Sequence, residues 1–318
     1  MRWCVFFSVV LLVGCSSSSN YVPDAQPLDN SRLSAPDKTL SIAGLSACTD
    51  AEDQAVSIDS QSPITVLVHG CNGSAGRFRS LAQLYAFHGQ QAICFSYDDR
   101  KSLVSNAAQL ATAVHELTQV MNNNNISIVG HSMGGLIARK ALEEAYTKPS
   151  YVNNKTLELV TVSAPLSGIA VAGQCGIEPL HWLSVGIVPG ICWLVTGDNW
   201  FEITASSDFI RYPKPLMPAV QRYLKIVTNE KDTCRKVDAQ GKCIESDYVF
   251  DLAEQYHPKI DSDVNTTGVQ VDAGHVEIVG DKNLVPRKLL SILQAHGVLS
   301  TTPLERTEAF EKLLAELY

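Results

Sequence analysis

The chain has 318 residues, of which 45% are hydrophobic and 18% charged, and its formal net charge is −8. This length accommodates one large domain or two small ones, and the composition excludes disorder over most of the chain. Nucleic-acid-binding proteins carry a basic stripe, which this acidic sequence lacks, so no nucleic-acid partner is expected.

The N-terminus predicts export. The apolar run Val5–Val13 is too short for a bilayer span of about 20 residues and is typical of a secretory signal. Leu12-Val13-Gly14-Cys15 resembles the lipobox of bacterial lipoproteins. That resemblance implies removal of residues 1–14, a lipid anchor on Cys15 and, since Ser16 follows, attachment to the outer membrane of the bacterial cell envelope. A plain signal peptide with an incidental cysteine is the alternative.

The composition then divides the remaining chain. Residues 15–47, rich in Ser, Pro, Asp and Asn, are predicted to be a tether, residues 48–300 the main domain and residues 301–318 a C-terminal helix. The segment 165–218 interrupts the main domain with three tryptophans and many glycines. We expect it to be either ordinary core or a cap that supplies an apolar substrate pocket.

Export also allows disulfides, because they persist in oxidising compartments. Seven cysteines remain after Cys4 leaves with the signal and Cys15 takes a lipid, so at least one stays outside an intramolecular pair. None of the spacings is typical of zinc. The predicted pairs are Cys234–Cys243 around a polar turn, Cys175–Cys192 around an apolar insert, and Cys48–Cys94.

Apolar runs alternate with helical patterns from about residue 48, which predicts an α/β fold with a mostly parallel central sheet and helices on both faces. The predicted strands are Ile64–Gly70, Gln91–Asp99, Asn125–His131, Leu157–Pro165 and Tyr223–Asn229. A sixth strand is predicted to end with the residues Thr267–His275. The predicted helices are Leu103–Met121, Met133 to about Tyr146, and Val285–Ala295. The first of them has apolar residues at spacings of 4, 3, 4, 3 and 4.

A nucleophile is predicted between the third strand and the helix that follows it. Gly130-His131-Ser132-Met133-Gly134 matches G-x-S-x-G in the strand–turn–helix context that this motif requires. The two glycines leave room for a sharp turn, and the helix places a positive dipole end beside developing negative charge. A purely structural turn is the alternative.

A serine nucleophile needs a base, an acid and an oxyanion hole. His275 is the predicted base because it follows a strand and comes after Ser132 in chain order. Asp247 is the favoured acid and Asp232 the second choice, and the further acid candidates are Glu230, Asp251 and Asp263. The predicted oxyanion donors are the backbone N–H groups of Met133 and Cys71, with Asn72 next.

The segments "LVHG", "GHSMGG" and "AGHVEIV" together resemble the α/β-hydrolase superfamily on its lipase and esterase side. "SAPLSG" is similar to the "GTPHxG" turn of bacterial lipases and GPI-inositol-deacylase-like proteins. The resemblance extends from about Pro63 to Ala295. It implies the α/β-hydrolase fold and acyl transfer to water. The acid's identity and the substrate stay open, because the Cys234–Cys243 insertion and the segment 165–218 depart from the family pattern.

The sequence therefore predicts a lipid-anchored serine hydrolase that cleaves an ester or lipid-like small molecule by a Ser-His-Asp triad. No cofactor motif or metal pattern is visible, so neither is expected. Thioesterase and amidase activities use the same triad. From another class, the alternative is a membrane-tethered binding protein that keeps the fold without turnover.

Overall fold

The computed structural model of the chain describes residues 28–71, 73–144, 155–169 and 201–318. The predicted signal peptide, the lipidation site Cys15 and the Cys175–Cys192 pair lie outside these residues, as does most of the predicted cap.

The strands of the described part range from two residues near the N-terminus to ten residues in Val220–Asn229. They are β1 (Lys38–Thr39), β2 (Leu45–Ser46), β3 (Ser57–Ile58), β4 (Ile64–Val68), β5 (Gln91–Phe95), β6 (Asn125–His131), β7 (Thr156–Val162), β8 (Val220–Asn229), β9 (Cys234–Val237), β10 (Cys243–Ser246) and β11 (Thr266–Asp272).

The helices of the described part follow the strands in the alternation that the sequence predicts. They are α1 (Arg79–Phe87), α2 (Leu103–Val120), α3 (Met133–Ala141), α4 (Asp208–Arg211), α5 (Pro258–Asp261), α6 (Arg287–Ala295) and α7 (Thr307–Leu317). Single 3-10 turns occupy Ala75–Phe78, Leu252–Gln255, Glu277–Val279 and Leu304–Arg306.

Seven strands form one sheet in the order β11-β8-β7-β6-β4-β5-β2. All neighbours are parallel except β2, which runs antiparallel to β5. The mostly parallel sheet is therefore confirmed. Because the carboxyl ends of parallel strands share one edge, the loops after β4, β6, β7, β8 and β11 gather there.

Side chains alternate between two buried layers, as expected for a sheet covered on both faces. Ile64, Val66 and Val68 of β4 join one apolar cluster with α2 and α3. Leu67 joins a second cluster, on the opposite face, with α1, α6 and α7. Helices therefore cover both faces, which confirms this part of the predicted fold.

Helix α2 confirms the helix that the spacing of apolar residues predicts. Ser102 caps its N-terminus by accepting a hydrogen bond from the Ser105 N–H at 3.3 Å. The predicted apolar face, which runs from Leu103 to Met121 at spacings of three and four, is buried along its whole length. The helix ends at Met121, whose backbone is extended.

The predicted tether, residues 15–47, is wrong in its C-terminal part. Leu40, Ile42 and Leu45 are buried in the core, and β2 forms the edge of the main sheet. Strands β1 and β2 are only two residues long, so no periodic signal marks them. The domain begins before residue 48. The predicted C-terminal helix lies at α7 and packs Phe310 and Leu314 into the second cluster.

The described end of the predicted cap, residues 201–218, packs on the core. Ile203, Ile210 and Met217 are buried in the cluster that contains α2 and α3. This part of the segment is therefore ordinary core, one of the two readings that the sequence left open. None of the helices among the residues described above is long and apolar enough to cross a membrane.

Two of the three predicted disulfides are confirmed. Cys48–Cys94 joins the residues after β2 to the buried strand β5, and Cys234–Cys243 closes the β9–β10 hairpin. The two bonds close segments of very different length, since their sequence separations are 46 and 9. Cys71 is exposed.

Removing either disulfide should destabilise the protein, and the disulfide that closes the longer segment should matter more. We expect Cys48→Ala/Cys94→Ala to lower the free energy of unfolding by about 4 kcal/mol and Cys234→Ala/Cys243→Ala by about 3 kcal/mol, because a longer loop loses more entropy when closed. Burial of Cys48 and Cys94 adds a cavity cost to the first variant. Guanidinium unfolding of both variants checks the order, and a larger loss in the hairpin variant would contradict it.

Candidate active site

Ser132 lies between β6 and α3 at the carboxyl edge of the sheet. Its φ is 55° and its ψ is −124°, a strained conformation for a residue with a side chain. Its N–H donates to the Val162 carbonyl at 2.9 Å, which continues the pairing of β6 with β7 past the end of the strand. The sharp turn predicted by G-x-S-x-G is therefore present at this residue.

The turn at Ser132 requires a glycine at position 134. A Cβ at this position would overlap the carbonyl oxygens of Val68 and His69 at the end of β4. Only glycine allows the first turn of α3 to pack this closely on the neighbouring strand. The close approach brings the loop after β4 to Ser132.

The structure brings Ser132 and His275 together, as the sequence predicts. His275 follows β11, and its Nε2 lies 3.0 Å from Ser132 Oγ. Both side chains are buried. They are 143 residues apart in the chain and meet because β6 and β11 end at the same edge of the sheet.

The acid beside His275 is Glu230, which corrects the preference for Asp247 and Asp232. Glu230 follows the last residue of β8, and its Oε1 lies 2.8 Å from His275 Nδ1. Its Oε2 accepts hydrogen bonds from the backbone N–H groups of Val249 at 2.8 Å and Phe250 at 3.3 Å. Glu230 is 1% exposed, so these donors replace the water that a charge would otherwise require.

Asp247 holds the His275 loop through its backbone. Its carboxylate accepts from the N–H groups of Val276 at 3.0 Å and Glu277 at 2.9 Å, and its carbonyl accepts from the His275 N–H at 2.9 Å. A Cβ on Gly274 would overlap this carboxylate, so glycine is required there as well. Asp247 therefore positions His275 and does not contact its ring nitrogens.

Asp232 lies in the tight turn after Glu230, with φ of 61° and an exposed side chain. Position along the chain does not show the direction of a side chain, so the sequence could not show that Glu230 and neither aspartate faces His275. Glu230 was already among the weaker candidates. The signal that identifies it is its place as the first acidic residue after β8.

The environments of the two buried carboxyls differ. Burial raises the pKa of Glu230. The hydrogen bond and charge of His275 and the Val249 N–H lower it by a larger amount, so this pKa lies below its ordinary value. Burial raises the pKa of Asp247, and the Glu277 and Val276 N–H groups offset only part of the increase. Glu230 is therefore the carboxylate that is held ionised against His275.

Hydrogen-bond chemistry fixes the tautomer of His275. An ionised carboxylate only accepts, so His275 Nδ1 carries the proton and donates it to Glu230. Nε2 is then the acceptor for the Ser132 hydroxyl. The imidazole is thus placed to take the serine proton.

A second histidine and an aromatic ring enclose the base. His131 Nε2 donates to the His275 carbonyl at 2.9 Å, and burial lowers the pKa of His131 well below its ordinary value, so it stays neutral. The Phe250 ring meets the His275 ring edge-on with centroids 4.8 Å apart. Together these contacts limit the access of water to His275.

Sequence reasoning missed two hydroxyls beside the acid. Ser163 Oγ lies 2.8 Å from Glu230 Oε1 and 3.0 Å from His275 Nδ1, and Thr228 Oγ1 lies 2.7 Å from Ser163 Oγ. Ser163 directly follows β7, as Ser132 follows β6, and Thr228 is the next-to-last residue of β8. That position was a usable signal, but a lone hydroxyl residue carries no motif.

The predicted oxyanion donors lie next to the nucleophile. Met133 is the first residue of α3, and N–H groups at a helix N-terminus are suited to anions. Cys71 follows Gly70, where a Cβ would lie 3.0 Å from the Ser132 Cβ. Tyr97 supports this turn, because its hydroxyl donates to the His69 carbonyl at 2.6 Å and its ring stacks on His69. Asn72 lies outside the described residues.

A metal site was not expected from the sequence. In the part of the chain that the structure describes, no group of three His, Cys, Asp or Glu side chains lies close enough to hold a metal ion.

Comparison with known proteins adds a partial match to a family and a likeness in fold. Residues 59–198 match the sequence profile of the family described as "Putative serine esterase (DUF676)". The match covers less than half of the chain and includes Ser132, while Glu230 and His275 lie beyond it. No curated protein matches this chain.

Among solved structures, the chain is similar to the lipase BlEst2 of Bacillus licheniformis. For the mature form the identity is 17% and the TM-score 0.51, over 82% of this chain and 99% of that one. For the propeptide form the identity is 18% and the TM-score 0.53, over 82% of this chain and 54% of that one. At such identities the likeness concerns the fold.

The fold, the site and the family match together define the class. The protein is an ester hydrolase with the α/β-hydrolase fold.

Neutralising Glu230 should decide the identity of the acid. We expect Glu230→Gln to lower kcat for an ester by about 10⁴-fold with little change in KM, because the amide no longer holds the histidine in the right tautomer. Asp232→Asn is the exposed control and should change kcat less than about 2-fold, since most surface substitutions are nearly neutral. Steady-state hydrolysis of a p-nitrophenyl ester measures both. A deeper loss in Asp232→Asn or Asp247→Asn would overturn the assignment of Glu230.

Proposed function

We propose that the protein cleaves carboxylic esters through an acyl-enzyme on Ser132, with His275 as base and Glu230 as acid. The observation that carries this proposal is the unbroken chain of hydrogen bonds from Ser132 Oγ through His275 to Glu230, at 3.0 and 2.8 Å. A hydroxyl that only formed a turn would not need this alignment.

The chemistry follows from the order of these atoms. His275 Nε2 takes the hydroxyl proton as Ser132 Oγ attacks the ester carbonyl, and Glu230 stabilises the resulting imidazolium. The tetrahedral intermediate collapses when the imidazolium gives its proton to the leaving alcohol. Water, activated by the same nitrogen, then attacks the acyl-enzyme and releases the acid and free Ser132.

The oxyanion is proposed to bind to the Met133 and Cys71 N–H groups. Each such donor typically lowers the barrier by about 3 to 4 kcal/mol. The support is their position, at the N-terminus of α3 and in the turn that contacts Ser132. Because both donors are backbone groups, the Cys71 side chain has no part in this step.

We infer that the substrate carries an apolar acyl group, as in a lipase or carboxylesterase. Support comes from the tryptophan-rich segment 165–218 in the sequence and from the fold likeness to a protein described as a lipase. Rates on p-nitrophenyl esters of increasing acyl length would define the preference, and rates on thioesters and amides would separate those activities.

The envelope location is a proposal that rests on the sequence. The signal-like run, the lipobox-like residues and Cys15 support a lipid anchor in the outer membrane. Two disulfides in the described domain agree with an oxidising compartment.

The nucleophile is tested by a serine-reactive fluorophosphonate together with ester hydrolysis. The folded wild-type protein should take one label and hydrolyse short p-nitrophenyl esters. Ser132→Ala should take none and lose about 10⁶-fold in kcat, because triads act as a unit. Ser105→Ala, at an exposed serine of α2, is the control. A wild-type protein that takes no label and hydrolyses no ester would support the binding-protein alternative instead.

The anchor is tested by a single change at the predicted lipidation site. Cys15→Ser removes the thiol that would carry the lipid, so the protein should move from the membrane fraction to the soluble fraction of the cell envelope. Fractionation followed by immunoblotting measures the shift, with Cys71→Ser as the matched control. Continued membrane attachment of the Cys15 variant would contradict the proposed lipid anchor.

A further inference from the structure

Ser163 occupies a backbone conformation that favours glycine. Its φ is 47°, in the left-handed region, directly after the last residue of β7. Its N–H donates to the Ile226 carbonyl at 2.9 Å, which continues the pairing with β8. Any residue supplies that N–H, and glycine would supply it without strain, so the backbone does not explain the serine.

The side-chain hydroxyl explains why a serine occupies position 163. Ser163 is 0% exposed, and its hydroxyl lies between the two partners of the acid–base pair. It donates to Glu230 Oε1 at 2.8 Å and lies 3.0 Å from His275 Nδ1. Since Nδ1 carries a hydrogen, the Ser163 oxygen shares that hydrogen with Glu230 as a second acceptor.

Thr228 orders this hydroxyl from the other side. Its Oγ1 lies 2.7 Å from Ser163 Oγ, 3.0 Å from Glu230 Oε1 and 3.4 Å from Gln255 Oε1, so Ser163 Oγ is the nearest acceptor for its single hydrogen. The Thr228 backbone is itself held by Gln255, whose Oε1 accepts the Thr228 N–H at 2.8 Å and whose Nε2 donates to the Thr228 carbonyl at 2.7 Å. All of these groups are buried.

We propose that Ser163, ordered by Thr228, is a positioning residue that keeps the Glu230 carboxylate ionised and directed at His275 Nδ1 during ester hydrolysis. This proposal rests on the proposed function of Ser132, His275 and Glu230. Hydrogen bonds to an ionised group are stronger than neutral ones, and a buried carboxylate with fewer donors would turn away from the imidazole or take up a proton.

Ser163→Gly separates this role from a structural one. The change removes the hydroxyl and relieves the backbone strain at the same time. We expect kcat for a p-nitrophenyl ester to fall about 10- to 100-fold with KM unchanged, which is the effect of losing one or two charge-assisted hydrogen bonds. The denaturation midpoint should change little, because the relief of strain opposes the cost of the lost hydrogen bonds.

Thr228 supplies a matched pair that does not alter the strained residue. Thr228→Val keeps the shape and loses the hydroxyl, and Thr228→Ser keeps the hydroxyl. We expect the serine variant to turn over at least about 5-fold faster than the valine variant at equal KM, as for a lost hydrogen bond of about 1 kcal/mol. If Ser163→Gly does not fold, Ser163→Ala and this pair carry the test.

Several outcomes overturn the proposal. Turnover of Ser163→Gly within about 2-fold of wild type would do so. So would a loss of turnover that only follows a loss of folded protein, a rise in KM at constant kcat, or equal rates in the two Thr228 variants. These results differ from a failure of the proposed function, in which the wild-type protein itself neither hydrolyses the ester nor reacts with a fluorophosphonate.

Discussion

The hydrogen bond between the Glu230 carboxylate and His275 Nδ1, 2.8 Å long and almost without solvent, is the interaction on which the site depends. A buried charge is tolerated only when enough donors surround it. Glu230 has the imidazole, two hydroxyls and two backbone N–H groups within reach, and these come from four different parts of the chain. Folding therefore has to bring the strand ends together before the charge can be buried, which makes the fold and the site a single requirement.

The β9–β10 hairpin helps to bring these parts of the chain together. It begins shortly after Glu230 and ends directly before Asp247. The chain before the hairpin therefore carries the acid, and Asp247, which follows the hairpin, holds the histidine loop. Its Arg235 contacts Asp281 at 2.5 Å, and Arg77, which follows the turn beside Ser132, reaches the same carboxylate at 3.0 Å. Asp281 thus joins the three loops that carry the predicted oxyanion donor, the acid and the histidine. Its partly buried ion pairs are screened less by solvent than surface pairs.

Much of this arrangement could be predicted from the sequence, and the misses have a common cause. Periodicity identified α2 and the central strands, and local motifs with chain order identified Ser132 and His275. Helix α1 and strand β2 were missed because a fully buried helix and a two-residue strand leave little periodic signal. Glu230 was only a weaker candidate and Ser163 was missed, because their positions in the site depend on side-chain direction across neighbouring strands. That direction comes from the register of β7, β8 and β11 and not from any local pattern.

The two buried carboxyls beside His275 show how the same burial gives opposite contributions to stability. The pKa of Glu230 is lowered, so its contribution is present above the ordinary carboxyl pKa and is lost as pH falls through the lowered value. The pKa of Asp247 is raised, so its contribution is present below the ordinary pKa and is lost as pH rises through the raised value. The N–H groups and the more distant charges around Asp247 do not offset its burial, whereas for Glu230 the direct hydrogen bond and charge of His275, with its other donors, do so. Pairing with His275 therefore favours Glu230 over Asp247 as the proposed acid, while Asp247 holds the loop.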